Sequence, residues 1–423
     1  MNYNLLTNIN DIPEGWEIKR FEEIAKFSLG RTPPRNNTYY WNEKFFPWVS
    51  IKDMSDFGKI YYTKEFVSKK AYQEIFNGKF SPKETLLMSF KLTIGRTSIL
   101  KIDAFHNEAI ISIYPNDKII DKYFLFYYLP TINFNQYFDK AIKGNTLNKS
   151  KIANLKIVIP PLSEQKAIAE VLQTIQEAKE KTEAVIEATR QLKKSMMKHL
   201  FTYGVANFDL RFANENISIE NHKSQIENPK SQIKLKDTEI GPIPEHWQVV
   251  RLGEVAEIKY GKANPKTHGF IPLVGSGGIY GHVSKALTNK PTVIIGRKGT
   301  AGEVYFSEVP CYPSDTTFYL DFLSDLVYAK FLYYYMTENK ISGEHAKTTL
   351  PSLQRTELQK FPIPLPPLPE QQAIAEILQA IDEKIEKEEA KKKALENLFK
   401  SMLNNLMGGR VRVKNLKEKR RHL

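Results

Sequence analysis

The hydrophobic pattern is most regular in two long stretches, residues 164–203 and 370–407, which contain neither glycine nor proline. Apolar or small residues recur there at alternating steps of three and four, which predicts long helices with a heptad seam. The predicted seam positions are Ile168, Val171, Ile175, Val185, Leu192, Met196, Ile374, Ile377, Ile381, Leu395, Leu398 and Met402. A helix of about 40 residues is about 60 Å long and needs a packing partner to be stable in water.

The natural partner of each long helix is the other. The centre of the second seam carries Lys384, Glu388 and Lys391, and polar seam residues cost stability but fix the register of a coiled coil. We expect an antiparallel pair. The segment between the helices is long enough for a parallel return, so its length leaves both arrangements open.

A further apolar stripe flanks the predicted seam on both helices. A helix pair alone leaves such a flank exposed, which predicts either an interface for a partner subunit or contact with the rest of the chain. The candidate partner-interface residues are Leu172, Ile186, Leu200, Leu378, Ile385, Phe399 and Leu406.

The chain is an internal repeat. Residues 12–16 (Ile-Pro-Glu-Gly-Trp) recur as 243–247, and residues 160–175 recur as 366–381 with twelve of sixteen positions identical. Thr146-Leu147 also resembles Thr349-Leu350, whereas residues 36–120 and 267–325 hardly align. Similar frames around dissimilar middles indicate one scaffold with two recognition surfaces, or a duplication whose loops have drifted.

Outside the long helices, short apolar runs predict two modules of mixed α/β structure. Residues 85–90 and 97–102 bracket a loop rich in glycine and cations, and residues 292–295 and 302–306 bracket its equivalent. A second polar loop follows in each module, at 144–149 and 347–350. Such loops can approach phosphates or guanine edges; the alternative is an ordinary surface hairpin. The candidate DNA-binding residues are Lys91, Arg96, Lys143, Asn145, Lys149, Arg297, Lys298, Thr300, Lys347 and Thr348.

Composition changes this picture in two respects. The 423 residues are 41% hydrophobic and 26% charged, which is typical of a globular protein, and the single cysteine, Cys311, excludes a disulfide scaffold or a cysteine zinc site. The net charge of +13 suggests a polyanion partner, with nucleic acid the first candidate. Much of the excess positive charge lies in the tail 408–423, which is either a solvated end or a phosphate contact.

No long apolar run or signal-peptide core is present, so we expect a cytoplasmic protein without a membrane contact.

No catalytic motif emerges from the sequence. The glycine-rich segment Gly275–Gly281 lacks the strand–turn–helix context of a dinucleotide site, and no phosphate-binding loop of the Walker type occurs. Glu164-Gln165-Lys166 opens a helix, without a partner aspartate in a strand. The aromatic runs at 123–128 and 331–335 have helical spacing and predict core, with base stacking the minor alternative. We therefore expect no metal site and no catalysis by this chain alone.

The doubled motif Pro-Pro-Leu-x-Glu-Gln, followed by Ile-Ala-Glu-Val/Ile-Leu, and the doubled Ile-Pro-Glu-x-Trp resemble the specificity subunit of type I restriction-modification enzymes. The fold class that this resemblance implies is α/β (α+β). It comprises two tandem mixed α/β target recognition domains, separated by two long helices that form an antiparallel coiled coil, in a pseudo-two-fold internal repeat. The resemblance also implies that each domain reads one half of a split, asymmetric DNA target, while the helices set the spacing and dock the modification subunits.

Matched to this sequence, the resemblance gives the following division: target recognition domains at 1–161 and 242–367, spacer helices at 162–203 and 368–407, a linker at 204–241 with little structure, and a basic tail at 408–423. The implied partners are double-stranded DNA, two methyltransferase subunits and the translocase/nuclease subunits. S-adenosylmethionine, ATP and Mg are expected on those subunits and no cofactor on this chain.

Two other interpretations stay open from the sequence. The chain could serve a different combined cleavage-methylation system, which only its neighbouring subunit would reveal. It could also be a coiled-coil scaffold that binds no DNA, which predicts no salt-sensitive DNA affinity.

Overall fold

A computed structural model describes residues 12–137, 147–205, 233–322, 325–339, 341 and 352–413. The chain divides into two compact units. The first unit comprises residues 1–181 and 392–423, and the second comprises residues 182–391. Each unit therefore contains one module and part of each long helix.

The first module is built on a five-stranded sheet with two smaller sheets beside it. Its strands are β1 (Glu17–Arg20), β2 (Ala25–Leu29), β3 (Phe46–Val49), β4 (Gly58–Ile60), β5 (Glu65–Val67), β6 (Leu86–Ser89), β7 (Thr97–Leu100), β8 (Phe105–His106), β9 (Ile110–Pro115) and β10 (Lys156–Ile159). Its helices are α1 (Phe21–Ile24), α2 (Lys69–Glu74), α3 (Lys122–Tyr128) and α4 (Lys149–Ala153). The sheet orders are β2-β9-β6-β7-β4, β5-β3-β8 and β1-β10.

The second module repeats this plan with a four-stranded sheet. Its strands are β11 (Leu235–Thr238), β12 (Gly241–Pro244), β13 (Gln248–Arg251), β14 (Ala256–Tyr260), β15 (Ile271–Gly275), β16 (Gly278–Val283), β17 (Thr292–Gly296), β18 (Val304–Ser307), β19 (Tyr312–Pro313), β20 (Thr317–Phe322) and β21 (Pro362–Leu365). Its helices are α6 (Leu252–Val255), α7 (Ala329–Glu338) and α8 (Arg355–Gln359). The sheet orders are β14-β20-β17-β18, β16-β15-β19, β13-β21 and the hairpin β11-β12.

The dissimilar middles hold the same small sheet with different connections. In both modules one strand of that sheet pairs antiparallel on one side and parallel on the other: β3 with β5 and β8, and β15 with β16 and β19. A two-residue turn joins β15 to β16 in the second module. In the first module, the chain between β3 and β5 instead contains β4. This strand pairs parallel with β7 at the edge of the large sheet. The predicted mixed α/β repeat is confirmed.

Two repeated residue pairs explain why the frames match. The backbone N–H of Arg20 donates to the carboxylate of Glu23, and that of Arg251 donates to Glu254, so each pair closes a short helix in the same way. Gly30 and Gly261 are fixed by close packing. A Cβ at Gly30 would lie 2.2 Å from the carbonyl oxygen of Asn107, and one at Gly261 would lie 2.0 Å from that of Ser314.

The two long helices are α5 (Leu162–Tyr203) and α9 (Leu368–Met407). In the first unit, Ile168 and Leu172 of α5 share a core with Leu403 and Leu406 of α9. In the second unit, the ammonium of Lys193 on α5 lies 2.6 Å from the carboxylate of Asp382 on α9. Arg190 of α5 also pairs with Glu389 of α9. Lys193 comes after Arg190 on α5, but its partner Asp382 comes before Glu389 on α9. The two helices therefore run in opposite directions, and the predicted antiparallel arrangement is confirmed.

The predicted seam is wrong at two of its positions. Val185 is 40% exposed and Leu398 is 46% exposed, whereas the neighbouring Ile186 and Phe399 are buried. The buried or partly buried positions include Ile168, Leu172, Ile175, Thr182, Ile186, Thr189, Met196 and Leu200 on α5, and Ile374, Ile377, Leu378, Ile381, Ile385, Leu395, Phe399, Met402, Leu403 and Leu406 on α9. At Val185 and Leu398 the buried position lies one residue later, because hydrophobic residues occupy both places and spacing alone does not choose between them.

The predicted partner interface is corrected by the same observation. Leu172, Leu200, Leu378 and Leu406 are fully buried, and Ile186 and Phe399 nearly so. Ile385 is partly buried against the core of the second unit. The chain itself buries six of these seven side chains, so those six offer no surface to a second protein.

The end of the predicted linker also differs from expectation. Residues 235–238 form β11, which pairs antiparallel with β12, while residues 206–232 lie outside the described residues. In the predicted basic tail, Arg412 is not a free cation: its guanidinium lies 2.7 Å from the carboxylate of Glu164. In the described part of the chain, no helix has the length and apolar character needed to cross a membrane.

Candidate nucleic-acid interface

The first predicted loop has the same backbone conformation in both modules. It joins β6 to β7 in the first module and β17 to β18 in the second, both antiparallel hairpins. Gly95 N–H donates to Ser89 O at 2.8 Å, and Gly302 N–H donates to Gly296 O at 2.9 Å. The two glycines have φ angles of +85° and +86°, which an L side chain rarely adopts. The glycines at these turns are therefore required by the loop itself.

The second predicted loop meets the first in each module. Leu147 N–H donates to Phe90 O at 3.2 Å, and Leu353 N–H donates to Arg297 O at 2.9 Å. The two polar loops thus lie side by side at one end of each hairpin. The structure therefore brings together segments that the sequence separates by about 50 residues, as expected for a composite surface.

This contact corrects the repeat register in the second loop. Leu147 is the counterpart of Leu353, not of Leu350, since both precede the short helices α4 and α8 and bond to the same place on the first loop. A short Thr-Leu match misled the alignment by three residues. Lys143, Asn145, Lys347 and Thr348 lie outside the described residues, so their predicted contacts stay predictions.

Three of the candidate DNA-binding residues hold the loops in place. Arg96 donates from Nε to Asp56 at 2.9 Å and from Nη1 to Met54 O at 3.1 Å. Arg297 donates to Asp315 O at 2.6 Å, and its guanidinium lies 5.3 Å from the ring centre of Tyr260. Thr300 donates to the carbonyl of Ser276. These contacts use side-chain hydrogen-bond donors that were predicted to bind DNA. They restrain the conformation of the loops instead.

Of the three other described candidates, two are exposed and one is half-buried. Lys149 and Lys298 are exposed, and Lys91 is half-buried with its ammonium 5.6 Å from the ring centre of Phe90. Each lies on or directly after one of the paired loops. These cations are available to phosphates, and they are the part of the prediction that the geometry leaves intact.

Leu92, in the middle of the first loop, is 83% exposed and was not among the predicted site residues. Exposed aromatic residues elsewhere in the modules were not predicted either, notably Tyr62 at 77% and Phe270 at 99% exposure. No sequence signal separates these from core aromatics, because exposure depends on the fold. The aromatic runs behave as predicted: Phe124 to Tyr128 are buried in the first core, and Phe331, Leu332, Tyr334 and Tyr335 are buried in the second.

The first module also contains a buried polar cluster. The His106 ring contacts the hydroxyl of Ser112, which in turn contacts that of Ser81. Burial lowers the pKa of His106 from its usual 6.5 to about 4, so the ring is neutral at pH 7. The cluster carries no carboxylate partner in these contacts, and a neutral imidazole suits a structural role.

Within the described ranges, no group of three or more His, Cys, Asp and Glu could hold a metal ion. The glycine-rich segment Gly275–Gly281 forms the turn between β15 and β16 and part of β16. It is not followed by a helix, so its context is not that of a dinucleotide-binding loop.

The motif that dominates the repeat anchors each long helix. Gln165 accepts from Asp121 N–H at 2.8 Å and donates to the carbonyls of Ile119 and Pro160. Gln371 repeats this geometry with Tyr328 N–H and the carbonyls of Leu326 and Pro366. Both amides are almost completely buried. The motif therefore fixes the first turn of a long helix to the start of α3 or α7.

A family model described as "Type I restriction modification DNA specificity domain" matches residues 13–188 and 244–397. The chain is 28% identical over 448 residues to the type I restriction enzyme MjaVIII specificity subunit of Methanocaldococcus jannaschii, with 96% of this chain and 95% of that protein covered. It is 26% identical over 298 residues to the type I restriction enzyme EcoDI specificity subunit of Escherichia coli, covering 64% and 66%.

Among solved structures, the chain is similar to the S subunit of a type I restriction-modification system from M. genitalium. The TM-score is 0.61 at 18% identity, with 96% of this chain and 99% of that chain covered. At this identity the likeness concerns the fold. The family model covers both repeated frames and the greater part of each long helix.

Proposed function

The chain belongs to the type I restriction modification DNA specificity family, as its doubled motifs predict, and from this premise we propose that each module reads one half of a split, asymmetric DNA sequence. One observation carries the proposal. The same pair of polar loops stands on two matching frames whose middles differ in sequence and in connection. Two similar frames that carry different loop surfaces are better suited to binding two different DNA half-sites than to binding the same half-site twice.

The chain supplies recognition and its partners supply the chemistry. We expect modification subunits to bring S-adenosylmethionine and methylate adenine, and restriction subunits to bring ATP, Mg and DNA cleavage. On this proposal the chain has no catalytic activity of its own and acts in the cytoplasm, where its DNA lies. The long helices, of 42 and 40 residues, set the spacing between the half-sites.

Because most of the predicted partner-interface residues are buried, we expect the modification subunits to bind the exposed faces of the long helices. Val185 and Leu398 are two large apolar residues that are exposed there, each beside a buried neighbour. Replacing either with glutamate should weaken the complex without unfolding the chain. Size-exclusion chromatography of the co-expressed subunits measures the first effect, and circular dichroism checks the second.

The proposal is tested by co-expressing the chain with its modification subunit and mapping methylated adenines in host DNA by long-read sequencing. We expect a single two-part asymmetric motif that disappears when this chain is deleted. Exchange of the whole first module, residues 12–161, with that of a relative should then change only one half of the motif. Exchange of residues 36–120 alone is a poorer design, because β9 pairs with β2 and Phe57 packs on Tyr127 across its junctions.

Point variants localise the surface. Lys91→Ala should reduce methylation at the motif through the first module and Lys298→Ala through the second, each with a smaller salt dependence of DNA binding. Lys118→Ala and Lys360→Ala, exposed lysines away from the paired loops, are the matched controls. A stable complex that yields no adenine motif, together with DNA binding that is insensitive to salt, would contradict the proposal and favour the scaffold interpretation.

A further inference from the structure

Leu92 has a backbone conformation that leucine normally avoids. Its φ angle is +64°, in the left-handed region, and its side chain is 83% exposed. A bulky residue with positive φ is destabilising, and burial of the side chain does not compensate for it here. Strained residues persist where the surrounding structure enforces them, most often at functional sites.

The second module shows what the same loop needs. Gly299 stands at the equivalent position, three residues before the shared Gly302, with a φ angle of +79°. Lys91-Leu92-Thr93 therefore corresponds to Lys298-Gly299-Thr300. Since glycine fits this conformation without strain, the hairpin itself gives no reason for a leucine.

The surroundings of the two positions also differ. A Cβ at Gly299 would lie 3.3 Å from the hydroxyl of Ser276, in the turn between β15 and β16. The first module lacks that turn, because its middle follows a different connection, and Leu92 is open to solvent. The first module therefore presents an aliphatic side chain where the second presents a backbone, and both have a lysine directly before it.

On the proposed function, these loops face DNA, and a lone aliphatic side chain gains from contact only with an apolar group. The major-groove edges of the bases display one such group, the 5-methyl of thymine. We propose that Leu92 is a specificity-determining residue that reads a thymine methyl group in the first half-site. This inference rests on the proposed function, and it predicts no such readout at Gly299.

The test uses the full chain with its modification subunits and duplexes that carry the mapped motif. Each thymine of the first half-site is replaced in turn by deoxyuridine, which removes only the methyl group. At one position the wild-type affinity should fall about fivefold. Leu92→Gly should lose the same factor on the unmodified duplex. The variant with the deoxyuridine duplex should be no weaker than either change alone, because both remove one contact.

Two controls separate this effect from misfolding. Leu92→Gly should unfold at the same or a higher temperature than the wild type, because glycine relieves the strain. Deoxyuridine in the second half-site should add to the Leu92→Gly loss independently.

The inference is overturned if Leu92→Gly binds the unmodified duplex as tightly as the wild type, if its loss adds to every deoxyuridine loss, or if the first half-site contains no A·T pair. A wild-type complex without any two-part motif would instead overturn the proposed function, and this inference with it.

Discussion

The two modules hold their long helices with the same amide but with different carboxylate partners. Gln165 and Gln371 make equivalent bonds. The preceding glutamates differ: Glu370 accepts from Trp247 Nε1 at 2.9 Å, whereas Glu164 binds Arg412. The equivalent Trp16 Nε1 is buried and has no hydrogen-bond partner among the residues that the structure describes. The glutamine contacts are thus the same in both copies of the repeat, whereas the glutamate has a different partner in each copy.

The largest expected effect tests the shared part. Gln165→Leu and Gln371→Leu each leave a buried N–H and two carbonyls without partners, and each should lower the free energy of unfolding of its unit by about 4 kcal/mol. Hydrogen–deuterium exchange of peptides from each unit, across a urea series, measures both. Unequal losses from the two variants would show that the anchors are not equivalent.

A smaller effect belongs to the first unit alone. His106 has a pKa of about 4 when folded and about 6.5 when unfolded, so the unfolded chain binds more protons between these values. Stability should fall as pH falls from 6.5 to 4, by roughly 3 kcal/mol in total from this residue.

His106→Gln should remove that pH dependence from peptides of the first unit. Peptides of the second unit, which has Pro313 at the equivalent place in β19, serve as the internal control. A pH profile that the substitution leaves unchanged would contradict the burial of the imidazole.

The glutamates should respond unequally. Glu164→Gln breaks a buried ion pair with Arg412 and should cost about 2 kcal/mol. Glu370→Gln keeps an oxygen that accepts from Trp247 and should cost about 1 kcal/mol. Thermal unfolding followed by calorimetry compares them, and a larger loss at Glu370 would reverse the comparison.

The tryptophans give the smallest difference. Trp16→Phe and Trp247→Phe remove the same volume, but only the second removes a hydrogen bond to a carboxylate. The second should therefore cost about 1.5 kcal/mol more than the first. Equal losses in exchange-derived stability would indicate that Trp16 Nε1 finds a partner, such as water, in solution.

Much of the fold could be predicted because it rests on local pattern. The repeat, both long helices and the bracketed hairpins all follow from spacing and from identical motifs. The antiparallel pairing of the helices was an expectation that the length of the segment between them left open. The seam failed at Val185 and Leu398 because Ile186 and Phe399 are equally apolar. At Phe399, packing against Phe57 and Tyr127 of the first module decides which neighbour is buried.

The candidate site could be predicted only as a pair of loops. Arg96 and Arg297 look like free cations in sequence, but Asp56 and the carbonyl of Asp315 take their donors across long sequence separations. Leu92 looks like an ordinary hydrophobic residue, since neither its φ angle nor its exposure is encoded in residue type. Charge and spacing in the sequence were enough to locate the paired loops. Which residues of these loops are exposed and which hold the loops in place is decided by tertiary contacts.

The composition of the first unit has a consequence for synthesis on the ribosome. The second unit is one continuous segment, residues 182–391, whereas the first needs residues from both before and after it. Until Phe399, Leu403 and Leu406 have been translated, Ile168 and Leu172 lack part of their core. The module that is made first is therefore completed last, and a nascent chain arrested before residue 392 would leave it with an open apolar face for chaperones to shield.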